Sequence, residues 1–137
     1  MTLSTFFKSL GAPFVNARWS WGAVRPEDGA LFLRVWEDEV RRIDNTQWVR
    51  VAANAQYAGS NDDGWLERLA HLDRIRGGAK CFLVFVAAKD KNAMPRGVKS
   101  FLDDAVIEGT KIAEFDGDTR IQLGRRIPAQ QQMPATV

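Results

Sequence analysis

The sequence predicts an α+β domain built on a curved, mostly antiparallel sheet with two main flanking helices. Apolar residues recur at helical spacing in only two stretches, near the N-terminus and at residues 62–76. The other ordered segments alternate with period two or are apolar on both alternations, which is strand patterning. Only one of the helices falls between strands, whereas a parallel doubly wound sheet needs a helix between most of them. At 137 residues the chain suits one domain, expected over residues 1–128, with a flexible tail at 129–137 that carries a glutamine run.

Leu3, Phe6, Phe7 and Leu10 share one helical face behind a Thr2 or Ser4 cap, and Gly11 and Pro13 end that helix. Residues 17–24 read as a strand that places Trp19 and Trp21 on the same face. After a Pro26-Glu27-Asp28-Gly29 turn, residues 31–36 form a strand with two unlike faces. Leu31, Leu33 and Val35 make an aliphatic side, and Phe32, Arg34 and Trp36 an aromatic-plus-arginine side. Residues 47–52 repeat the pattern, with Val49 and Val51 opposed to Trp48 and Arg50. The polar link at 37–46 predicts a hairpin between the two strands, in which Arg34 faces Arg50 and Trp36 faces Trp48.

A second helix begins near Asp62 and ends at Gly77-Gly78, with Asp62 and Asp63 at its start and Arg74 and Arg76 in its last turn. Trp65, Leu69, Leu72 and Ile75 form its core stripe, and Arg68 projects into that stripe. Residues 81–86 are apolar on both alternations, the pattern of a central strand covered on both faces. A basic, irregular loop follows at 89–99, and strands at 111–115 and 119–123 flank the hairpin turn Asp116-Gly117.

Composition narrows the function classes. A hydrophobic fraction of 45% with 26% charged residues excludes disordered and collagen-like chains. The longest apolar run, residues 81–88, is far short of the ~18 residues a membrane helix needs, and the N-terminus shows no signal peptide. These features lead to the expectation of a cytoplasmic protein with no membrane partner. A single cysteine excludes an internal disulfide, and a single histidine leaves no zinc site of the usual type, so neither metal nor other cofactor is implied. There is no nucleophile elbow, Walker loop, dinucleotide fingerprint or C-x-x-C pair, so a non-enzymatic role is expected. Cys81 reads as a buried structural thiol and His71 as a boundary histidine. Net charge +2 and a pI near 8.9 permit a nucleic-acid partner without requiring one.

Five tryptophans, four of them before Arg50, direct attention to the N-terminal half. Trp19 and Trp21 have two readings: core, or a wall on which a planar base stacks, with Asn16 and Arg18 at its lip. Base–aromatic stacking is worth about 1–3 kcal/mol per base. The arginines on the aromatic face, Arg34 and Arg50, either form a cation–π ladder or await an anion. Arg68 must snorkel outward or meet an acceptor. Lys89, Lys91, Arg96 and Lys99 against Asp90 alone suit a phosphate-tracking loop. The run Glu37-Asp38-Glu39 supports a second reading, a small magnesium-dependent nuclease using Asp38 and Glu39. A protein-interaction adaptor with a Trp-rich face is the third.

The segment Asn16-Ala17-Arg18-Trp19-Ser20-Trp21-Gly22-Ala23, then Phe32-Leu33-Arg34-Val35-Trp36, Glu67-Arg68 with His71, and the loop from Ala88 to Ser100 resemble small bacterial and phage domains of the PUA-like group. That group includes EVE, ASCH and SRA-type modified-base readers. The resemblance spans Phe6 to Pro128 in element order. It implies a small PUA-like β-barrel with flanking helices, an aromatic pocket for a nucleobase, no catalysis, and an effector protein as partner. The leading expectation is therefore a nucleic-acid-binding module, DNA ahead of RNA, that reads a modified or flipped base. Stacking falls to Trp19 and Trp21, the pocket edge to Asn16 and Arg18, and phosphates or pocket anions to Arg34, Arg50, Arg68, Lys89, Lys91, Arg96 and Lys99.

Overall fold

Thr2 caps the first helix, α1 (Leu3–Ser9), its hydroxyl accepting the Thr5 amide at 3.1 Å. The 3.6-residue spacing then puts Phe6, Phe7 and Leu10 on one fully buried face. In the computed structural model, which describes residues 1–134, α1 packs on a sheet of eight strands. They are β1 (Gly22–Val24), β2 (Leu31–Trp36), β3 (Val40–Ile43), β4 (Thr46–Ala52), β5 (Cys81–Ala88), β6 (Val98–Phe101), β7 (Ala105–Phe115) and β8 (Asp118–Pro128). The second helix, α2 (Asp63–Arg76), starts where the Asp62 carboxylate accepts the Trp65 amide and stops at Gly77. The fold is α+β, as the patterning predicts.

The strands run β1-β2-β5-β7-β8-β4-β3, with β6 pairing β5 beyond the point where β7 leaves it. Only β2 and β5 are parallel, in register from Leu31 opposite Cys81 to Trp36 opposite Val86. The two-sided apolar pattern of β5 is explained by its position. Phe82 and Val84 join the α1-side core with Phe6, Phe7, Leu10 and Phe32, while Cys81 and Leu83 join the α2-side core with Leu33, Val49, Trp65 and Leu72. The turn at Asp116-Gly117 has φ of 53° and 82°, the left-handed pair a tight hairpin demands, and glycine takes the second place without strain.

Three local expectations are corrected. Residues 17–24 are not one strand: only Gly22–Val24 pair, and residues 16–20 form a turn. The Asn16 side chain accepts the Arg18 amide at 2.9 Å, its carbonyl accepts the Ser20 amide, and Glu67 of α2 takes both the Ser20 hydroxyl and the Trp21 amide. That local bonding outcompetes extension. The hairpin expected between residues 31–36 and 47–52 does not form either. Asp44 and Asn45, both at positive φ, make their own two-residue turn and pair β4 with β3, leaving β2 to β1 and β5. Finally, the tail expected to fray from 129 begins with a packed turn. Ala129 is buried at 2% exposure, and Arg25 donates to the Gln132 carbonyl at 2.7 Å. Residues 135–137 of that expected tail lie outside the described residues.

Candidate functional site

The sheet has a seam. β1 accompanies β2 only as far as Leu33, and β3 accompanies β4 only as far as Val49. The last residues of β2 and β4 therefore have backbone groups with no strand on that side, and such groups cannot stay unpaired when buried. Arg68 of α2 spans the gap: Nη1 donates to the Val51 carbonyl at 2.7 Å, and Nη2 donates to those of Trp21 and Arg34, both at 2.8 Å. One guanidinium thus substitutes for missing ladder donors of both strands. Burial, reinforced by Arg34, lowers its pKa to about 10, so it remains charged at neutral pH with no carboxylate bound to it among the described residues. Its packing fixes neighbouring choices too, since any side chain at Gly64 would run into the Trp21 indole beside it.

Above this bridge lies a cavity of about 370 Å³. Trp21, Trp36 and Tyr57 supply aromatic wall, with Tyr57 stacked on Trp65 at 4.9 Å and Trp21 edge-on to Tyr57 at 5.4 Å. Five cationic side chains line it, Arg34, Arg50, Arg68, Lys91 and Arg96, against one carboxylate, Glu39. Most of those charges are spoken for. Arg50 pairs with Glu39 and with Asp118, which outweighs partial burial and holds its pKa above the ordinary value. Arg96 makes a two-pronged bond to Asp38 at 2.8 and 3.0 Å while its guanidinium lies 5.2 Å from the centre of the Trp36 ring. The Arg34 guanidinium lies 5.8 Å from the same ring, and among the described residues it has neither a carboxylate nor any other acceptor. Partial burial lowers its pKa, and its nitrogens still reach solvent through the cavity.

The structure brings together Trp21, Arg34, Arg50, Arg68, Lys91 and Arg96 from the sequence expectation and leaves the others outside the cavity. Trp19 sits on the 16–20 turn and does not line the cavity, whose aromatic lining is Trp21 with Trp36 and Tyr57. Asn16 caps that turn and is no pocket lip, and Arg18 is exposed beside it. Arg34 and Arg50 are not cross-strand partners, because Arg50 stands opposite Arg120 of β8 and Arg34 opposite Val84 of β5. Lys89 and Lys99 are exposed at the two ends of the basic loop, outside the cavity whose rim that loop forms with Lys91, Met94 and Pro95. Tyr57 was not legible: it is the chain's one tyrosine, in a polar loop with no periodicity to place it. Trp36 was, through the arginine-aromatic alternation of β2.

Other chemistry-bearing groups are turned inward. Burial raises the Cys81 thiol to about 12. His71 is buried, at 6% exposure, where a boundary position was expected. Burial and the charges of Arg68 and Arg74 bring it down to about 4, so it is neutral at pH 7, and its Nδ1 has no partner. Asp38 and Glu39 are held by Arg96 and Arg50, and among the described residues no three metal-ligating side chains converge. No protein-family model, curated protein or solved structure matches the chain.

Proposed function

We propose that this chain is a nucleic-acid-binding module of PUA-like type that holds one unstacked base, modified or flipped, in the seam cavity and performs no covalent chemistry. One observation carries the reading: a cavity with aromatic walls contains a guanidinium, that of Arg34, that has no acceptor among the described residues. The cavity volume of about 370 Å³ falls within the roughly 300–1,000 Å³ of small-molecule sites. A nucleobase suits it because it offers both a π-face for indole and phenol and hydrogen-bonding edges for arginine. Lys89, Lys91 and Lys99, all exposed around the same loop, suit the flanking phosphates. The ion pairs that occupy Asp38 and Glu39 favour this reading over metal-dependent cleavage.

The test is a titration of labelled DNA across salt, using a matched duplex, a duplex with an abasic site that frees the opposite base, and a single strand. The free-base duplex binds tightest, and three or four phosphate contacts give a log–log salt slope of about −3 on duplex. None of the three is cut in magnesium or manganese. Absence of binding to all three at low salt overturns the proposal, and cleavage that disappears in Asp38→Asn replaces it with the nuclease.

A further inference from the structure

Arg34 is fixed at its backbone from both directions. Its amide donates to the Trp21 carbonyl at 2.9 Å, and its own carbonyl accepts Arg68 Nη2 at 2.8 Å. The side chain then runs toward Trp36, its guanidinium carbon 5.8 Å from the ring centre. Every other guanidinium of the cavity is engaged: Arg50 by Glu39 and Asp118, Arg96 by Asp38, Arg68 by three carbonyls. What enters the cavity therefore meets, besides the Lys91 ammonium, one fork of donors on Arg34, backed by the positive charge of Arg68. A donor edge, such as an exocyclic amino group, is opposed by that fork. A pair of neighbouring acceptors is matched by it.

We infer that the cavity selects a base carrying two adjacent, coplanar acceptors that Arg34 takes in a bidentate grip. The inference rests on the base-binding reading of the same cavity and adds which base it holds. Three sources offer this chemistry: the O6/N7 edge of a guanine-type purine, the O2/N3 edge of an unpaired cytosine, and a carboxylate substituent on a pyrimidine. Adenine, which pairs one acceptor with an amino donor, lacks it.

Duplexes identical except for the base opposite an abasic site distinguish the sources. The bases are guanine, hypoxanthine, 7-deazaguanine, adenine, cytosine and 5-carboxylcytosine. If the purine edge is read, guanine and hypoxanthine bind about 5- to 150-fold more tightly than 7-deazaguanine and adenine. If the carboxylate is read, 5-carboxylcytosine exceeds cytosine by a similar factor. If the O2/N3 edge is read, cytosine and 5-carboxylcytosine bind alike and both exceed adenine. Any of these orders supports the inference. Arg34→Lys, which keeps the charge and loses the fork, shrinks the preference at least fivefold and leaves the salt slope in place. Equal affinity across the series, or preference for adenine, overturns the inference while base binding stands. No binding to any duplex at low salt overturns both. Should Arg34→Lys fail to fold, the base series on the unaltered chain decides alone.

Discussion

On the α1 side of the sheet, Phe6, Phe7, Leu10, Phe32 and Phe82 leave almost nothing to solvent, with Phe32 stacked on Phe82 at 5.1 Å. On the α2 side the same sheet keeps a buried guanidinium, a buried histidine and an open cavity among its aliphatic residues. The first side is held by apolar area, a non-directional force that any well-packed set of side chains supplies. The second is held at its seam by directed bonds from Arg68 to three carbonyls. Buried charged and titratable groups are seldom the most stable way to fill space, so their concentration on one side separates the part of the fold that only packs from the part proposed to bind.

The contrast breaks most visibly under Phe7→Ala. Phe7 is fully buried and stacks on Phe14 at 4.3 Å, so truncation lowers unfolding free energy by about 3–5 kcal/mol. Denaturant unfolding measures this, and the affinity of the folded fraction for the free-base duplex stays at the wild-type value. A loss of affinity in folded protein would mean that the two sides are coupled. Next in size is Arg68→Met, which fills similar length but leaves the Val51 and Arg34 carbonyls without their Arg68 donor, while the Trp21 carbonyl keeps the Arg34 amide. Orphaned buried acceptors cost about 1–3 kcal/mol each, partly offset by no longer burying a charge, and a net loss of about 2–3 kcal/mol results. Binding falls at least tenfold as the seam loses its spacing. A neutral or stabilised Arg68→Met would remove the seam from the list of structural necessities.

How legible these two sides are differs as well. The α1 core is readable from periodicity alone: Phe6, Phe7 and Leu10 on the helix, and Phe82 and Val84 on a strand apolar in both alternations. The second helix is readable from its Asp62 cap and Gly77 stop. The seam is not, because it depends on which strands are neighbours. Local patterning paired β2 with β4, and the Asp44-Asn45 turn that assigns β4 to β3 went unread. Arg68 shows the limit well. Its place on an apolar stripe predicts that it must find an acceptor, but only the tertiary fold says that the acceptors are carbonyls of two separate strands. Trp19 fails for the opposite reason: Asn16 two residues before Arg18 is a local turn signal that outweighs strand alternation.

Acid sharpens the contrast by a smaller amount. His71, on the α2 side, is held at about 4 when folded against an ordinary 6.5, so the unfolded chain takes up its proton first. Its contribution is fully present above about pH 6.5 and is lost as pH falls towards 4. At pH 5 the loss relative to pH 7.5 is ~2 kcal/mol. His71→Gln flattens that window. Asp28, held at about 2 by hydrogen bonds from Arg25, begins to act only below its ordinary 3.8, so the two steps separate. An unchanged acid profile in His71→Gln would show that the histidine charges in place, and that the α2 side is wetter than its burial indicates.

The smallest expected change in stability belongs to Arg34→Met, and it is the most discriminating. Arg34 and Arg68 are both guanidiniums at the seam, yet Arg68 is bonded to three carbonyls and the Arg34 side chain to no acceptor among the described residues. If Arg34 serves only a ligand, its removal relieves an uncompensated burial and the repulsion that lowers Arg68, while the thioether chain still covers Trp36. Denaturation midpoints should then be unchanged or correspond to a gain of up to about 1 kcal/mol, as for other sites where function opposes stability. Over the same substitution, affinity for the free-base duplex should fall towards that of a matched duplex. The two readouts move in opposite directions only for a residue kept for binding. A stability loss of more than about 2 kcal/mol would instead place Arg34 with Arg68 among the groups that hold the seam, and the cavity would lose the residue that makes it a site.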